Sequence, residues 1–586
     1  MTNWTVMTKR ADFNRIAEEF HIDPVTARLI RNRDVIEMDE IRQYLYGGIE
    51  DLGDPHLLKD GDLLASILEE KIKQGKKIRV IGDYDIDGVM ATYILVTGLK
   101  MCNAQVSMQI PDRIHDGYGL NKSLIEVALA DGIDTILTCD NGIAAMDEIA
   151  YAVEKGMTVL VTDHHEIPYE TTEEGRVYKR SIAQAIVNPH QQECGYPYKY
   201  LCGAAVAWKV ICLLYEKMGL SYEMAQEFLE NVAFATVGDI MPLTGENRIL
   251  VKLGLKKIRN TKNIGLRALI AQCGLNKEAI GAYDFGFVLG PCINATGRLD
   301  TAKRALELLF ATDAMTAAQI ANELVILNTE RKDLTQEGVE AAIAFYEAEQ
   351  MEKDKVIVLF LPDVHESIAG IIAGRIRERY YKPTFVLTRA EQGAKGSGRS
   401  TENYSMYEEM CKCADLFTKF GGHPMAAGLS LSEENIPEFR RKINENCTLT
   451  EDDMIPKVRI DVPMPMDYVT KELIQEFAVL EPFGKDNTKP VFADKDLRVQ
   501  RLSIIGKNRN VVKMTLVSSQ NHRHTGICFK GAEELCQYIE ERFGKEQLER
   551  AMMGQENHIV LSFVYYPRIN VYQNIEELQF EIQHYR

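Results

Sequence analysis

Two sets of side chains in this sequence have the types and spacing to do chemistry. One is an aspartate followed by two histidines, Asp163-His164-His165, and the other is the alternating run Asp83, Asp85 and Asp87. Carboxylate oxygens are hard ligands that suit Mg²⁺ or Mn²⁺, and imidazole nitrogens favour Mn²⁺ of the two. Gly88 follows the alternating aspartates and frees the turn that would let them converge. Alone, that run also fits an aspartate-rich turn or the start of a calcium loop, but the glutamate that such a loop needs at its twelfth position is Ile94 here. Adjacent imidazoles can divide labour, one ligating metal while the other meets a substrate phosphate. Asp140, in Thr138-Cys139-Asp140-Asn141-Gly142, and Asp239, in Ala235-Thr236-Val237-Gly238-Asp239, could each add a carboxylate. Two cations held about 3.5–4 Å apart would activate water and clamp both oxygens of an in-line phosphoryl displacement, which removes the need for a side-chain nucleophile. No Gly-x-Ser-x-Gly elbow or P-loop lysine pattern competes for that role.

Bringing these groups together requires strands that end where the aspartates stand. Ile78 to Ile81 is a short apolar strand running into Asp83, Thr135 to Thr138 runs towards Asp140, and Thr158 to Thr162 ends at Asp163. Helical stretches lie between, at Gly88 to Leu99, Ser123 to Ala130 and Ala144 to Lys155, with a further strand over Ala104 to Ile110. Such alternation predicts an α/β fold with a parallel sheet between layers of helix. Ligands of these sheets bind beyond the carboxyl ends of the strands, which is where three of the aspartates fall.

Beyond this lobe, residues 302 to 349 are Ala-rich and charged and predict a long connecting helix. A second α/β unit follows, with strands over Val356 to Phe360 and Thr384 to Leu387, a Gly-rich segment from Gly393 to Gly398 and a turn at Gly421-Gly422-His423. From about Ile455 the pattern changes to strands at Val511 to Ser518, His558 to Tyr566 and Leu578 to His584, which fits a small OB-fold-like β-barrel. The expected division is residues 1–45 as an N-terminal segment, 46–300 as the catalytic domain, 301–349 as the connecting helix, 350–454 as the second α/β domain and 455–586 as the barrel.

Taken together the motifs resemble the DHH phosphoesterase superfamily, and within it the single-strand-specific exonucleases. The resemblance runs on through Ile110-Pro111-Asp112-Arg113, Asp116-Gly117-Tyr118-Gly119-Leu120, Asn188-Pro189, Leu201-Cys202-Gly203-Ala204 and Pro291 to Arg298. Gly396 to Ser400 and Gly421 to Gly428 look like the DHH-associated (DHHA1) domain, and Glu481-Pro482-Phe483-Gly484 looks like the entry to the nucleic-acid-binding barrel. The order is right over residues 45 to 586. Two positions depart from the pattern: Glu366 follows His365 where a small residue or glycine is expected, and Asn141 follows Asp140 where cysteine is common.

The resemblance implies that Asp83, Asp85, Asp140, His164 and Asp239 bind two Mn²⁺ or Mg²⁺ ions. It implies that Asp163 completes the motif, that His165 meets the scissile phosphate, and that Asp87 is an auxiliary ligand or supports the ligands from behind. Arg298, Ser397 and Arg399 would take a 5′-terminal phosphate, and His423 would come from the second lobe to polarise the scissile phosphate. The implied activity is 5′→3′ release of mononucleotides from single-stranded DNA in repair and recombination. The implied partners are a single strand with a 5′ end, a single-strand-binding protein and a RecQ-type helicase.

Bulk composition sets the frame. The chain has 586 residues, 46% hydrophobic and 26% charged, as in ordinary globular proteins. There is no apolar h-region at the start and no apolar run of about 18 residues, so neither a signal peptide nor a membrane span is expected. Twelve scattered cysteines predict reduced thiols in a cytoplasmic protein rather than a disulfide frame. Net charge is −18, which by itself opposes nucleic-acid binding, yet seven basic residues face only two acidic ones between Ser367 and Arg399. A monomer is the simpler expectation. Two rival functions are a phosphodiesterase for short oligonucleotides or cyclic dinucleotides and a non-catalytic DNA-binding replication scaffold. The first leaves the C-terminal barrel surplus, and the second leaves an intact ligand set without a purpose.

Overall fold

The computed structural model describes residues 2–113, 117, 119–172, 175–529, 531–573 and 575–586. Asp116 and Tyr118 of the second motif block lie outside them. The chain divides into two compact units, residues 52–456 and residues 2–51 with 457–586.

The first unit is built on a five-stranded parallel sheet in the order Gln105–Gln109, Lys77–Ile81, Thr135–Cys139, Thr158–Thr162 and Ala185–Val187. Thr135–Cys139 is buried along its whole length, and Lys77–Ile81 beyond its first residue. Strands covered on both faces read as continuous apolar runs rather than alternating ones, so the sequence marks them sharply. Helix Ile86–Met101 starts at once after the acidic run, because Asp85 caps it by accepting from the N–H groups of Asp87 and Gly88 at 2.9 and 3.1 Å. Gly88 has to be glycine, since a Cβ there would lie 2.4 Å from the Asp83 carbonyl oxygen.

The expected connecting helix is two helices, Lys303–Leu309 and the 35-residue Ala314–Ala348. Asp313 caps the second by accepting from the Thr316 N–H at 2.9 Å, and this restart breaks the run.

The second lobe of this unit has a five-stranded sheet in the order Phe417–His423, Ala426–Leu431, Ala394–Arg399, Thr384–Arg389 and Ile357–Phe360. Only the last two pair in parallel. One segment that the sequence left unassigned is placed here, and one expected turn is corrected. The Gly-rich segment is a central strand, and its glycines clear space for neighbours: a Cβ at Gly396 would lie 2.3 Å from Leu387 Cδ2 and one at Gly398 would lie 2.7 Å from Phe385 Cε1. Gly421-Gly422-His423 is likewise strand, and the chain reverses at Pro424-Met425. Gly422 has φ 148°, and a Cβ there would meet the Ala426 carbonyl oxygen at 2.5 Å. Glycine therefore marks close backbone approach here, not a turn.

The second unit is a closed barrel. Its strands run Phe492–Ile505, Val511–Val517, Arg523–Cys528, Ile575–Tyr585 and Val560–Tyr572, and the last pairs back onto the first. Residues 2–51 are part of this unit. Asn3–Val6 pairs in parallel with Lys457–Ile460, and Ile30, Ile41 and Leu45 from the short helices before residue 47 join the buried cluster that holds Leu480, Phe492 and Phe563. Tyr44 Oη donates to Asn487 Oδ1 at 2.8 Å, and the Asn487 amide in turn donates to the Leu480 and Pro482 carbonyls. Among the described residues no helix is long and apolar enough to cross a membrane.

Candidate metal centre and phosphate pocket

The carboxyl ends of the parallel strands deliver the acidic residues to one place. Asp83 and Asp85 follow Lys77–Ile81, Asp140 follows Thr135–Cys139 directly, and Asp163 follows Thr158–Thr162 directly. Asp140 has φ 59°, a left-handed conformation that aspartate tolerates and that turns the chain sharply at the strand end. Asp239 arrives from another direction, as the C-cap of helix Leu229–Gly238.

His164 Nε2 lies at the centre. It is 3.1 Å from Asp140 Oδ1, 3.6 Å from Asp87 Oδ2 and 3.7 Å from Asp239 Oδ2. Three overlapping sets could each hold a cation: Asp83 with Asp85 and Asp140, Asp87 with His164 and Asp239, and Asp140 with His164 and His165. Asp140 and His164 are each shared by two sets, which is the arrangement two neighbouring cations require.

The electrostatics fit such a load. Burial, followed by the negative charges of neighbouring carboxylates, pushes the Asp83 and Asp140 carboxyls well above the usual range. Burial also raises Asp87 and lowers His164. Asp83 Oδ1 is buried without a hydrogen-bond partner. Crowded carboxylates with an orphaned oxygen and a neutral imidazole are what a divalent cation would compensate. The donor set is mostly oxygen with imidazole added, which Mn²⁺ accepts more readily than Mg²⁺.

Asp163 has a different task. Its Oδ1 accepts from the His164 N–H, the His165 N–H and His165 Nδ1 at 2.7, 3.2 and 2.7 Å, and its Oδ2 accepts from the Ile143 N–H at 2.9 Å. It builds the loop and aims His165. Burial works against both charges, but the mutual hydrogen bond prevails: Asp163 is held below the usual carboxylate range and His165 is pushed up to about 9. Asp87 is also fully engaged. Its two oxygens accept from the N–H groups of Gly203 and Ala204 at 2.6 and 2.7 Å, at the N-terminus of helix Gly203–Lys217.

Asn141 is buried and donates to the Ile81 and Cys139 carbonyls at 3.1 and 2.8 Å. It ties neighbouring strand ends together behind the cluster. Asn294 does the same for the helix start, accepting from the Ile86 N–H at 2.8 Å.

Beside Tyr84 opens a cleft of about 490 Å³ between the two lobes of the first unit, lined among others by Arg113, Ser367, Lys395, Ser397 and Gly421. Arg113 stacks on the Tyr84 ring, 4.9 Å from its centroid. Arg298 donates to the Ser367 carbonyl at 2.7 Å. Burial, then the like charges of Arg113, Arg331 and Arg399, bring the Arg298 guanidinium down to about 10. Arg399 is lowered by burial and by Arg377 and Arg113. Cations crowded in this way make a strong anion site, and guanidinium geometry favours phosphate. Glu366, one of the two departures from the expected pattern, pairs with Lys395 at 3.0 Å in the cleft wall. His423 is exposed at the end of its strand and pairs in register with Ala426.

The structure thus draws Asp83, Asp85, Asp87, Asp140, His164, His165 and Asp239 into one cluster, with Asp163 behind it. It places Arg298 and Arg399 within reach of each other's charge and Ser397 in the cleft wall. Sequence reasoning missed the Gly203 and Ala204 amides and the Tyr84–Arg113 stack. Backbone donors carry no side-chain signature; the only hint was the glycine itself, where a Cβ would lie 2.7 Å from Asp140 Cβ.

Family models match in three places: the DHH family N-terminal domain over residues 77–236, the DHHA1 domain over 353–448 and the RecJ OB domain over 460–584. The single-stranded-DNA-specific exonuclease RecJ of Salmonella typhimurium is 32% identical over 510 residues, which cover 83% of this chain and 85% of that protein. The chain belongs to the RecJ family. The Bacillus subtilis RecJ is 35% identical over 86% of this chain, and this chain spans 62% of the length of that relative. Among solved structures, RecJ from Thermus thermophilus in complex with Mn²⁺ superposes with a TM-score of 0.81 at 26% identity, covering all of this chain and 79% of that one. The expected α/β architecture of DHH domain, DHHA1 domain and C-terminal OB barrel is that of RecJ.

Proposed function

We propose that this RecJ-family chain is a single-stranded-DNA-specific 5′→3′ exonuclease that releases 5′-mononucleotides by hydrolysis. The observation that carries the proposal is the adjacency of two things: a carboxylate–imidazole cluster with three overlapping ligand sets, and a cleft walled by Tyr84 and Arg113 with Arg298 and Arg399 charged beside it. The RecJ proteins of Bacillus subtilis and Salmonella typhimurium are single-stranded-DNA-specific exonucleases.

When bound, two Mn²⁺ or Mg²⁺ ions lower the pKa of a water and offset charge on the phosphoryl oxygens. Asp83, Asp85, Asp140, His164 and Asp239 hold them, and Asp87 steadies His164 from the helix N-terminus behind it. Asp163 keeps His165 protonated through neutral pH and aimed at the cluster, so that His165 can donate to a phosphoryl oxygen of the scissile group. Arg298 and Arg399, with Ser397, take the 5′-terminal phosphate. Fixing that end determines which phosphodiester reaches the cluster, and hence the polarity. His423 contacts the phosphate from the second lobe, where its strand neighbour Gly421 lines the cleft.

The barrel holds the trailing strand by charge and base stacking. A cytoplasmic monomer that works with a single-strand-binding protein and a RecQ-type helicase completes the proposal. The test is release of mononucleotides from 5′-labelled and 3′-labelled single strands with Mn²⁺, against a blunt duplex of the same sequence. Early release of the 5′ label from the single strand alone supports the proposal. Early release of the 3′ label, or equal cutting of the duplex, overturns it.

A further inference from the structure

We propose that Cys273 and Cys292 form an oxidation site, a dithiol that hydroperoxides convert to an intramolecular disulfide. The two Sγ atoms are 4.0 Å apart in hydrogen-bond contact. Closure to the roughly 2.05 Å of a disulfide needs a movement of about 2 Å. Cys273 caps the C-terminal end of helix Ile264–Gln272 and is followed by Gly274 at φ +67°, so the movable partner stands at a helix end beside a turn. Cys292 sits within helix Gly290–Leu299 and is 2% exposed. Its sulfur is fixed there, 3.3 Å from the Val288 carbonyl and 3.4 Å from the donating Asn328 amide.

The two thiols differ in the way a dithiol switch requires. Cys273 is half-buried and open to a small oxidant, whereas Cys292 is shielded and reacts through its partner. The hydrogen bond from Cys292 and, against the opposing effect of burial, the charge of Lys332 hold the Cys273 thiol below its ordinary range, which favours the nucleophilic thiolate. In the first step the Cys273 sulfur attacks one peroxide oxygen. The S–O bond forms, the O–O bond breaks, and the departing oxygen leaves as water or an alcohol with the thiol proton. In the second step the Cys292 sulfur attacks the resulting sulfenic acid. The S–S bond forms, the S–O bond breaks, and water leaves with the Cys292 proton. The peroxide gains the two electrons that the thiols lose.

The position gives the site a consequence. Helix Gly290–Leu299 also carries Asn294, which holds the Ile86 N–H, and Arg298, which holds the Ser367 carbonyl. A cross-link at Cys292 strains the element that presents the phosphate-binding arginine. This consequence rests on the nuclease function proposed above, whereas the cross-link does not.

The test uses the full chain, a few equivalents of hydrogen peroxide, alkylation and non-reducing peptide mapping. The expected result is a Cys273–Cys292 linked peptide two hydrogens lighter than its parts, lost on dithiothreitol and absent from Cys273→Ser. Both cysteines remaining fully alkylatable, or Cys273 ending only as sulfinic acid, would overturn the site. In parallel, oxidation is expected to slow nucleotide release several-fold in the wild type, reversibly, and not in Cys273→Ser. A linked protein with unchanged release would overturn the coupling to Arg298. A chain with no nuclease activity would leave the peptide map to decide the site alone.

Discussion

His165 Nδ1 stands 2.7 Å from Asp163 Oδ1, and that same oxygen accepts the backbone N–H groups of His164 and His165. One carboxylate therefore shapes the loop, orients its imidazole and fixes the charge of that ring. Asp163→Asn keeps the size but replaces an acceptor of three bonds with an amide. Loss of an orienting partner of this kind costs roughly 10–100-fold in activity or metal affinity. Nucleotide release should fall by about that factor, and stability by about 1–3 kcal/mol because the buried amide then faces the Ile143 N–H; unaltered release from the folded variant would remove the orienting role.

Arg298 is crowded by the like charges of Arg113, Arg331 and Arg399, and Arg399 by those of Arg377 and Arg113. An anionic phosphate would relieve that repulsion. Arg399→Ala should reduce kcat/KM on a 5′-phosphorylated strand by about 10–100-fold, the equivalent of about 1.5–3 kcal/mol for a charged hydrogen bond. A strand with a 5′-hydroxyl should lose far less. Competition between the two strands in one tube measures the ratio, and equal losses on both would contradict the pocket.

Gly203 gives its N–H to Asp87 and leaves no room for a side chain, since a Cβ would lie 2.7 Å from Asp140 Cβ. Gly203→Ala should displace Asp140 and weaken Mn²⁺ binding, seen by calorimetry, and cost about 1–3 kcal/mol of stability from overpacking. Mn²⁺ affinity equal to wild type would show that the cluster does not depend on this close approach.

Away from the cluster, Glu230 is 5% exposed and burial pushes its carboxyl up to about 7, although Thr261 donates to it at 2.6 Å. A carboxyl raised in this way favours the folded state while protonated. Its contribution is complete below the unfolded value of about 4.5 and is lost as pH rises through about 7, a difference of roughly 3 kcal/mol. Glu230→Gln should remove that loss, so the variant should gain on wild type in urea unfolding at pH 8 relative to pH 5. A gap between the two proteins that is the same at both values would contradict it.

The three central strands of the first lobe's sheet were legible because they are buried on both faces and run into aspartates. Lys77–Ile81, Thr135–Cys139 and Thr158–Thr162 are short runs rich in Ile, Val, Leu and Thr that stop at or just before an aspartate. The acidic cluster followed from those ends. What escaped were relations with no local pattern. Asn3–Val6 pairs with Lys457–Ile460, at the far end of the chain, and nothing near either strand announces the other. Gly421-Gly422 read as a turn because glycine marks both turns and close packing, and at Gly422 only the neighbouring Ala426 carbonyl tells the two apart. The hold of the Gly203 and Ala204 N–H groups on Asp87 escaped because backbone donors carry no side-chain signature.

We propose that Asp140 and its neighbours hold the cations that serve hydrolysis of a single strand from its 5′ end. The most direct measurement is mononucleotide release from a 5′-labelled single strand by Asp140→Ala across a Mn²⁺ titration, with circular dichroism to show the fold intact. Release by Asp140→Ala is expected to fall at least about 1,000-fold below wild type at every Mn²⁺ concentration, beyond what loss of one orienting contact would cause. A folded Asp140→Ala protein that releases nucleotides within a few-fold of wild type would contradict it.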